Sequence, residues 1–320
     1  MGGLSHRLAS YSRKERKSTA GAKQLDVVLM FKILALQQLH NLSDDRIEYQ
    51  VRDRISFMRF LGLQLEDRVP DAKTVWLFRE SQKALGLVDI LFVRFNEQLA
   101  LRGYIARGGQ VIDATFVEVP RQRNTRGVNK QVKAGNTPEE WKDEAAKLRQ
   151  KDIEARWTKK NHENHYGYKN HINADQADKL IRGYQVTDAS VHDSQVFEEL
   201  LDQNLTKHGK KRAVYADSAY RSSEKENLLT KDQIPSRICE KGVRGKKLTK
   251  DQKTNNREKS KIRVRVEHVF GAQAHMGGHM VRTIGILRAR VKIGMMNLVY
   301  NMVRLGQLLR RDWRIASSVA

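Results

Sequence analysis

Three acidic residues stand where solubility alone does not explain an acid. Asp113 falls inside Val111-Ile112-Asp113-Ala114-Thr115, an apolar and β-branched run that reads as a strand. An acid buried there is costly unless a cation or hydrogen bonds offset its desolvation. Asp217 follows Ala213-Val214-Tyr215-Ala216, at the C-terminal end of a second strand, where ligands of open α/β sheets collect. Glu267 sits on a helix with Arg263 four residues earlier, so the two side chains share a face, and Val266, Val269 and Phe270 anchor the adjoining face in the core. Oxygen ligands of this kind suit hard divalent cations. Mg²⁺ keeps waters and takes one or two carboxylates plus phosphate oxygens. Two such ions about 3.5–4 Å apart activate a water or a hydroxyl and stabilise a leaving oxygen. Asp113 would bridge both ions, with Asp217 and Glu267 each completing one site. Taken singly, each acid reads more simply as a capped turn or a surface ion pair; the three together, inside a basic chain, favour the metal.

The chain has 320 residues, with 60 Lys and Arg against 37 Asp and Glu, a formal charge of +23. An excess of that size points to a polyanionic partner, DNA first among them. Anionic membrane is the weaker reading, because no long apolar run is present. Cys239 is the single cysteine, which excludes an internal disulfide and a zinc site built on several thiolates. The polar, basic N-terminus carries no apolar signal-peptide core. A cytoplasmic, nucleoid-associated protein is expected.

The elements that must position the acids follow from periodicity and punctuation. Residues 1–24 read as a mobile basic arm, and 25–107 as an all-α region. One helix starts at Asp26, another after the N-cap Ser43, and others end at Gly62, restart at Asp71 and span 87–101. Short basic helices with tight turns suit a DNA reader, or a bundle that packs on its neighbour. Gly108-Gly109 marks a boundary, and residues 108–311 read as one α/β domain with a 312–320 tail. Strands are expected at 110–119, 166–172, 180–187, 212–216 and 236–239, with helices at 194–201, 222–230, from 264 and at 287–308. Residues 120–163 read as an exposed polar insertion with a helix near 138–152, and 241–261 as a basic polar stretch. Three leading strands followed by βα units make a mixed β-sheet with helices on both faces.

The motifs carry a resemblance. Val-Pro-Asp-Ala-Lys-Thr-Val-Trp-Leu-Phe-Arg-Glu at 69–80, Val-Ile-Asp-Ala-Thr at 111–115 and His-Tyr-Gly-Tyr-Lys-Asn-His at 165–171 come first. Val-His-Asp-Ser at 191–194, Tyr-Ala-Asp-Ser-Ala-Tyr at 215–220 and Arg-Val-Arg-Val-Glu-His-Val-Phe at 263–270 complete the series. In this order, over nearly the whole chain, they resemble the DDE transposases of the IS4/IS5 superfamily, IS5-type. The resemblance implies an RNase H-like catalytic core, a triad of Asp113, Asp217 and Glu267, and Mg²⁺ or Mn²⁺. It implies cutting of transposon ends and joining of their 3′-hydroxyls to target DNA by a homo-oligomer that holds two ends together. A DNA-binding protein derived from such an enzyme and a nuclease without strand transfer are the alternatives. One departure is visible: the superfamily signature has Tyr and Lys where this chain has Ser260 and Ala274. Lys259, Lys261 or His275 are candidate substitutes.

Further DNA contacts are expected from Arg263, from Lys169 on the second strand, from Arg121 and Arg123 just beyond the Asp113 strand, and from Lys246, Lys247 and Lys250. Trp157 and Tyr220 are candidates for stacking on a base. Asp193, ahead of Ser194, reads as a helix N-cap, or as a fourth acid near the metal. His162, His165 and His171 read as chance clustering rather than a zinc site.

Overall fold

The computed structural model describes residues 25–104, 108–160, 162–207, 210–242 and 247–319; the expected basic arm at 1–24 and Lys246 lie outside them. Two compact units, Met1–Leu91 and Phe92–Ala320, divide the chain.

In the first unit three helix starts are capped by a side chain. Asp26 caps α1 (Val27–Leu39), Ser43 caps α2 (Asp44–Asp53) and Asp71 caps α4 (Ala72–Leu85), each accepting a backbone N–H of the first turn. Between them, α3 (Ile55–Leu61) ends on the left-handed Gly62. Met30, Ile33, Ile47, Val51, Phe57, Leu61 and Val75 are buried. Arg79 grips Asp44 through two 2.7 Å bonds, joining α4 to α2. Helix α5 (Leu87–Leu101) begins in this unit and runs into the next. The break between these two compact units therefore falls inside α5. Its second half belongs to the sheet domain: Asn96 donates to the carbonyls of Ile181 and Arg182, and Leu99 packs with Tyr104, Leu180 and Leu308.

The second unit is a mixed sheet with flanking helices, the RNase H-like arrangement that the resemblance implies. Its strands are β1 (Gln110–Glu118), β2 (Arg156–Lys160), β3 (Glu163–Asp175), β4 (Ile181–Asp188), β5 (Val214–Ala216) and β6 (Ser236–Ile238). β3 lies antiparallel to β1, while β5 is parallel to β1 and β6 to β5. β2 and β4 share the far edge of β3, end to end.

Several expected boundaries move. The 120–163 stretch is not wholly an excursion, since β2 returns it to the sheet. It opens with α6 (Arg126–Lys133), and the helix expected near 138–152 is instead two short ones, α7 (Glu139–Lys142) and α8 (Ala145–Leu148), with a small core of Val128, Val132 and Trp141. After β4, a 3-10 turn leads into α9 (Phe197–Leu200), and α10 (Ser223–Lys231) follows β5. The basic stretch before 261 is largely helical: α11 (Lys250–Arg263) opens on a Thr249/Gln252 capping box. A 3-10 turn, Val264–Val266, separates it from α12 (Glu267–His275). The last helix, α13 (Ile286–Val319), runs through residues expected to form a tail. No described helix is long and apolar enough to cross a membrane.

Behind β3, a buried amide network fixes α12. Asn170 donates to Asn297 Oδ1 at 3.0 Å, Asn297 returns a 3.1 Å bond to Asn170 Oδ1, and Gln273 Nε2 donates to Asn297 Oδ1 at 2.7 Å. Removing one member strands the others without water. Asn297→Leu is therefore expected to lower stability by about 2–3 kcal/mol, read as a fall in the urea midpoint at unchanged m-value. An unchanged midpoint would show that the network does not hold α12.

Candidate active site

Parallel pairing between β1 and β5 ends at Val111↔Tyr215, and Asp113 and Asp217 each follow two residues later. The strands part there, and alternation keeps the two acids on the face of Val111 and Tyr215. The opening is a cleft of about 530 Å³ lined by Asp113, Thr115, Lys160, Asp217, Arg263, Glu267, Phe270, Gly271, Ala274 and His279, among others. The three acids singled out in the sequence thus face one space.

Each is held differently. Asp113 is buried in β1; its Oδ1 accepts from the Ala114 N–H at 2.9 Å and its Oδ2 from Arg263 Nη1 at 2.7 Å. Asp217 caps a 3-10 turn, accepting from the Ala219 N–H at 2.8 Å, so its carboxylate is fixed at the end of β5. Glu267 is exposed at the first position of α12, where the positive end of the helix dipole favours an acid. Buried Val266 and Val269 clamp the backbone beside it.

Burial pushes the Asp113 carboxyl up to about 6, and Asp217 and Glu267 push in the same direction, against the Arg263 guanidinium and the Ala114 N–H. Burial opposes the Arg263 charge, but Asp113, with Asp217 and Glu267, more than offsets this and keeps it protonated. Tyr220, expected as a stacking residue, is instead fully buried beside Phe197. Among the described residues its hydroxyl has no hydrogen-bond partner, and burial, then Asp113, Asp193 and Asp217, hold its pKa well above normal.

The donor set is all oxygen and carries more negative charge than Arg263 neutralises, which fits a hard divalent cation. Among the described residues, no three His, Cys, Asp or Glu side chains lie close enough together to hold an ion as they stand. An ion here would therefore draw on water or phosphate oxygens as well, as Mg²⁺ ordinarily does.

The other expected contacts are scattered. Lys169 is buried, and its ammonium donates to the Val191 carbonyl at 2.7 Å and to Asp193 Oδ1 at 2.8 Å, so it already has internal partners. Asp193 consequently is not the cap: His192 accepts from the Ser194 N–H. Arg121 and Arg123 are exposed outside the cleft, Arg121 lying 5.7 Å over the half-exposed Trp157 ring. Lys247 and Lys250 are exposed before and at the start of α11. His165 stacks on Phe116 at 4.1 Å, while buried His171 meets Thr187 at 2.9 Å. Of the proposed substitutes for the absent Lys, Lys259 reaches the Ile238 carbonyl, Lys261 pairs with Glu258, and exposed His275 does not line the cleft. Sequence reasoning missed Lys160 and His279. The latter is brought in when its carbonyl accepts from the Glu118 N–H at 2.8 Å, closing the turn onto the end of β1.

The raised Asp113 pKa has a consequence for stability. Between the ordinary 3.8 and about 6 the folded state binds this proton and the unfolded state does not. Its contribution is thus fully present below pH 3.8 and lost as pH rises through 6. In EDTA, the stability of wild type relative to Asp113→Asn should fall by on the order of 3 kcal/mol across that window. A difference that is flat with pH would contradict the electrostatic account.

Residues 106–302 match the model of the Transposase DDE domain, and residues 5–81 that of a Transposase domain (DUF772). The solved piggyBac transposase synaptic complex with hairpin DNA is 13% identical, with a TM-score of 0.42 over 92% of this chain and 69% of that one. With the first match spanning more than half of the 320 residues, the chain belongs to the DDE transposase family.

Proposed function

We propose that the protein is the transposase of an IS5-type insertion sequence, hydrolysing phosphodiesters at the ends of its element and joining the freed 3′-hydroxyls to target DNA. The observation that carries this reading is the shared cleft of Asp113, Asp217 and Glu267 beside Arg263, on a chain of formal charge +23. In this reading Asp113, Asp217 and Glu267 would hold a pair of Mg²⁺, or Mn²⁺, ions. When bound, the metal supplies the Lewis acid that polarises the phosphodiester and lowers the pKa of the attacking hydroxyl.

The protein's share is positioning. Asp113 is rigid on β1, Asp217 is locked by its cap, and Glu267 on the cleft rim can adjust. Arg263 balances Asp113 before the ions bind, and its guanidinium can then turn to a phosphate oxygen. Arg121, Arg123, Lys246, Lys247 and Lys250 track the backbone by counterion release. The helical region, 25–107, recognises the terminal repeats, and 108–311 performs the chemistry. Holding two ends together requires a homo-oligomer on DNA, in the nucleoid.

The test uses full-length protein with duplexes taken from the DNA flanking its coding region. Cleavage in Mg²⁺ or Mn²⁺ and joining of pre-cut ends to a plasmid are expected. Asp113→Asn, Asp217→Asn and Glu267→Gln should each lose cleavage by on the order of 10³-fold while retaining DNA binding. Binding without cleavage in either metal would make the protein a DNA-binding derivative. Cleavage without joining would make it a nuclease.

A further inference from the structure

The cleft has an imbalance that its acids do not explain. The face of α12 turned to it carries Glu267, Phe270, Gly271 and Ala274, at helical positions i, i+3, i+4 and i+7, and no cation. Ala274 occupies the place where the superfamily signature has Lys. Arg263 is engaged with Asp113. A phosphodiester entering the cleft would be stabilised further by positive charge on its non-bridging oxygens from another part of the lining, where β2 ends. Among the described lining residues, the lysine there is Lys160.

Lys160 is positioned by the sheet. It closes β2, opposite Glu163, and β3 then carries the hairpin back along β1. Its ammonium lies 5.6 Å from the centre of the Phe116 ring, and Phe116 is braced by the His165 ring stacked on it at 4.1 Å. Its ion pair is loose: Asp193 Oδ2 stands 4.0 Å away, while Asp193 Oδ1 is held at 2.8 Å by the buried Lys169. Lys169 thus neutralises Asp193 from inside, leaving Lys160, with 47% of its side chain exposed, oriented by an aromatic face rather than by a strong salt bridge. That combination suits a cation that must exchange its partner for a phosphate.

We propose that Lys160 contacts a backbone phosphate of the DNA held in the cleft, supplying from β2 the charge that Ala274 cannot supply from α12. This rests on the transposase reading of the same site, yet its first readout requires no cleavage. In EDTA, binding of wild type and Lys160→Ala to a labelled duplex from the flanking DNA is titrated against salt. Loss of one phosphate contact lowers the slope of log K against log salt by about 0.9. Binding should weaken roughly 5- to 20-fold at physiological salt, about one charge-assisted contact. Lys160→Arg should keep the wild-type slope. The decisive variant is Lys160→Ala with Ala274→Lys, which returns a cation to the same cleft from α12 and should restore the slope and, in Mg²⁺, cleavage. A merely structural role for Lys160 would not be rescued from α12. An unchanged slope in Lys160→Ala, or a loss that Ala274→Lys leaves uncorrected, overturns the proposal. If wild type binds with the expected slope but never cleaves, the transposase reading fails while the Lys160 contact stands.

Discussion

The ion pair between Asp113 and Arg263 is the constraint around which the catalytic unit is arranged. A carboxylate on the central strand, with two further acids facing the same space, cannot stay charged in a dry interior without compensation. Arg263 supplies part of it at 2.7 Å, yet the Asp113 pKa still stands near 6. The remaining deficit is what a divalent cation would satisfy. A hydrophobic residue at 113 would be easier to bury beside Val111 on the same face, so the acid reflects a demand other than stability.

That demand shapes the neighbouring backbone. β1 and β5 separate just before the two aspartates, so the cleft exists because the sheet stops pairing there. At the other end of β1, Gly167 of β3 has φ +149°, and a Cβ on it would collide with the Val117 carbonyl oxygen. Glycine is required where β3 passes so close beneath the end of β1, which accounts for its place in the Tyr166-Gly167-Tyr168 run. The same strand carries Asn170 inward to Gln273 and Asn297, so the helix bearing Glu267 is tied to the strand next to Asp113. Two of the three acids are thereby coupled through buried amides.

Much of this was legible in the residues. The helix start at Asp26, the caps at Ser43 and Asp71, the stop at Gly62, and β-branched runs at 111–119 and 213–216 define elements by local rules, and the structure has them. Asp113 stood out because an acid inside an apolar strand is expensive. Asp217 and Glu267 needed the motifs, since a residue after a strand and an exposed helical acid are ordinary in isolation. What was not legible depends on register. Lys169 looked like a phosphate ligand because it is a lysine on a strand beside the site; the pairing of β3 with β1 and β4 buries it and delivers it to Asp193. Lys160 lay in a polar stretch with no periodicity to mark its final residues as a sheet strand. The Thr249-Gln252 capping box was present in the sequence and would have marked α11.

Arg263 and Glu267 show the limit most sharply. Their four-residue spacing reads as a shared helical face, which would pair them with each other. The structure places a 3-10 turn between them, and tighter winding rotates the two side chains apart. Arg263 then closes one helix and reaches across to Asp113, while Glu267 opens the next and stays on the cleft rim. A continuous helix would have joined the cation to the nearest acid in sequence and left the buried one uncompensated. The interruption assigns the charge where desolvation is greatest, and it leaves Glu267 exposed enough to take up a ligand of its own.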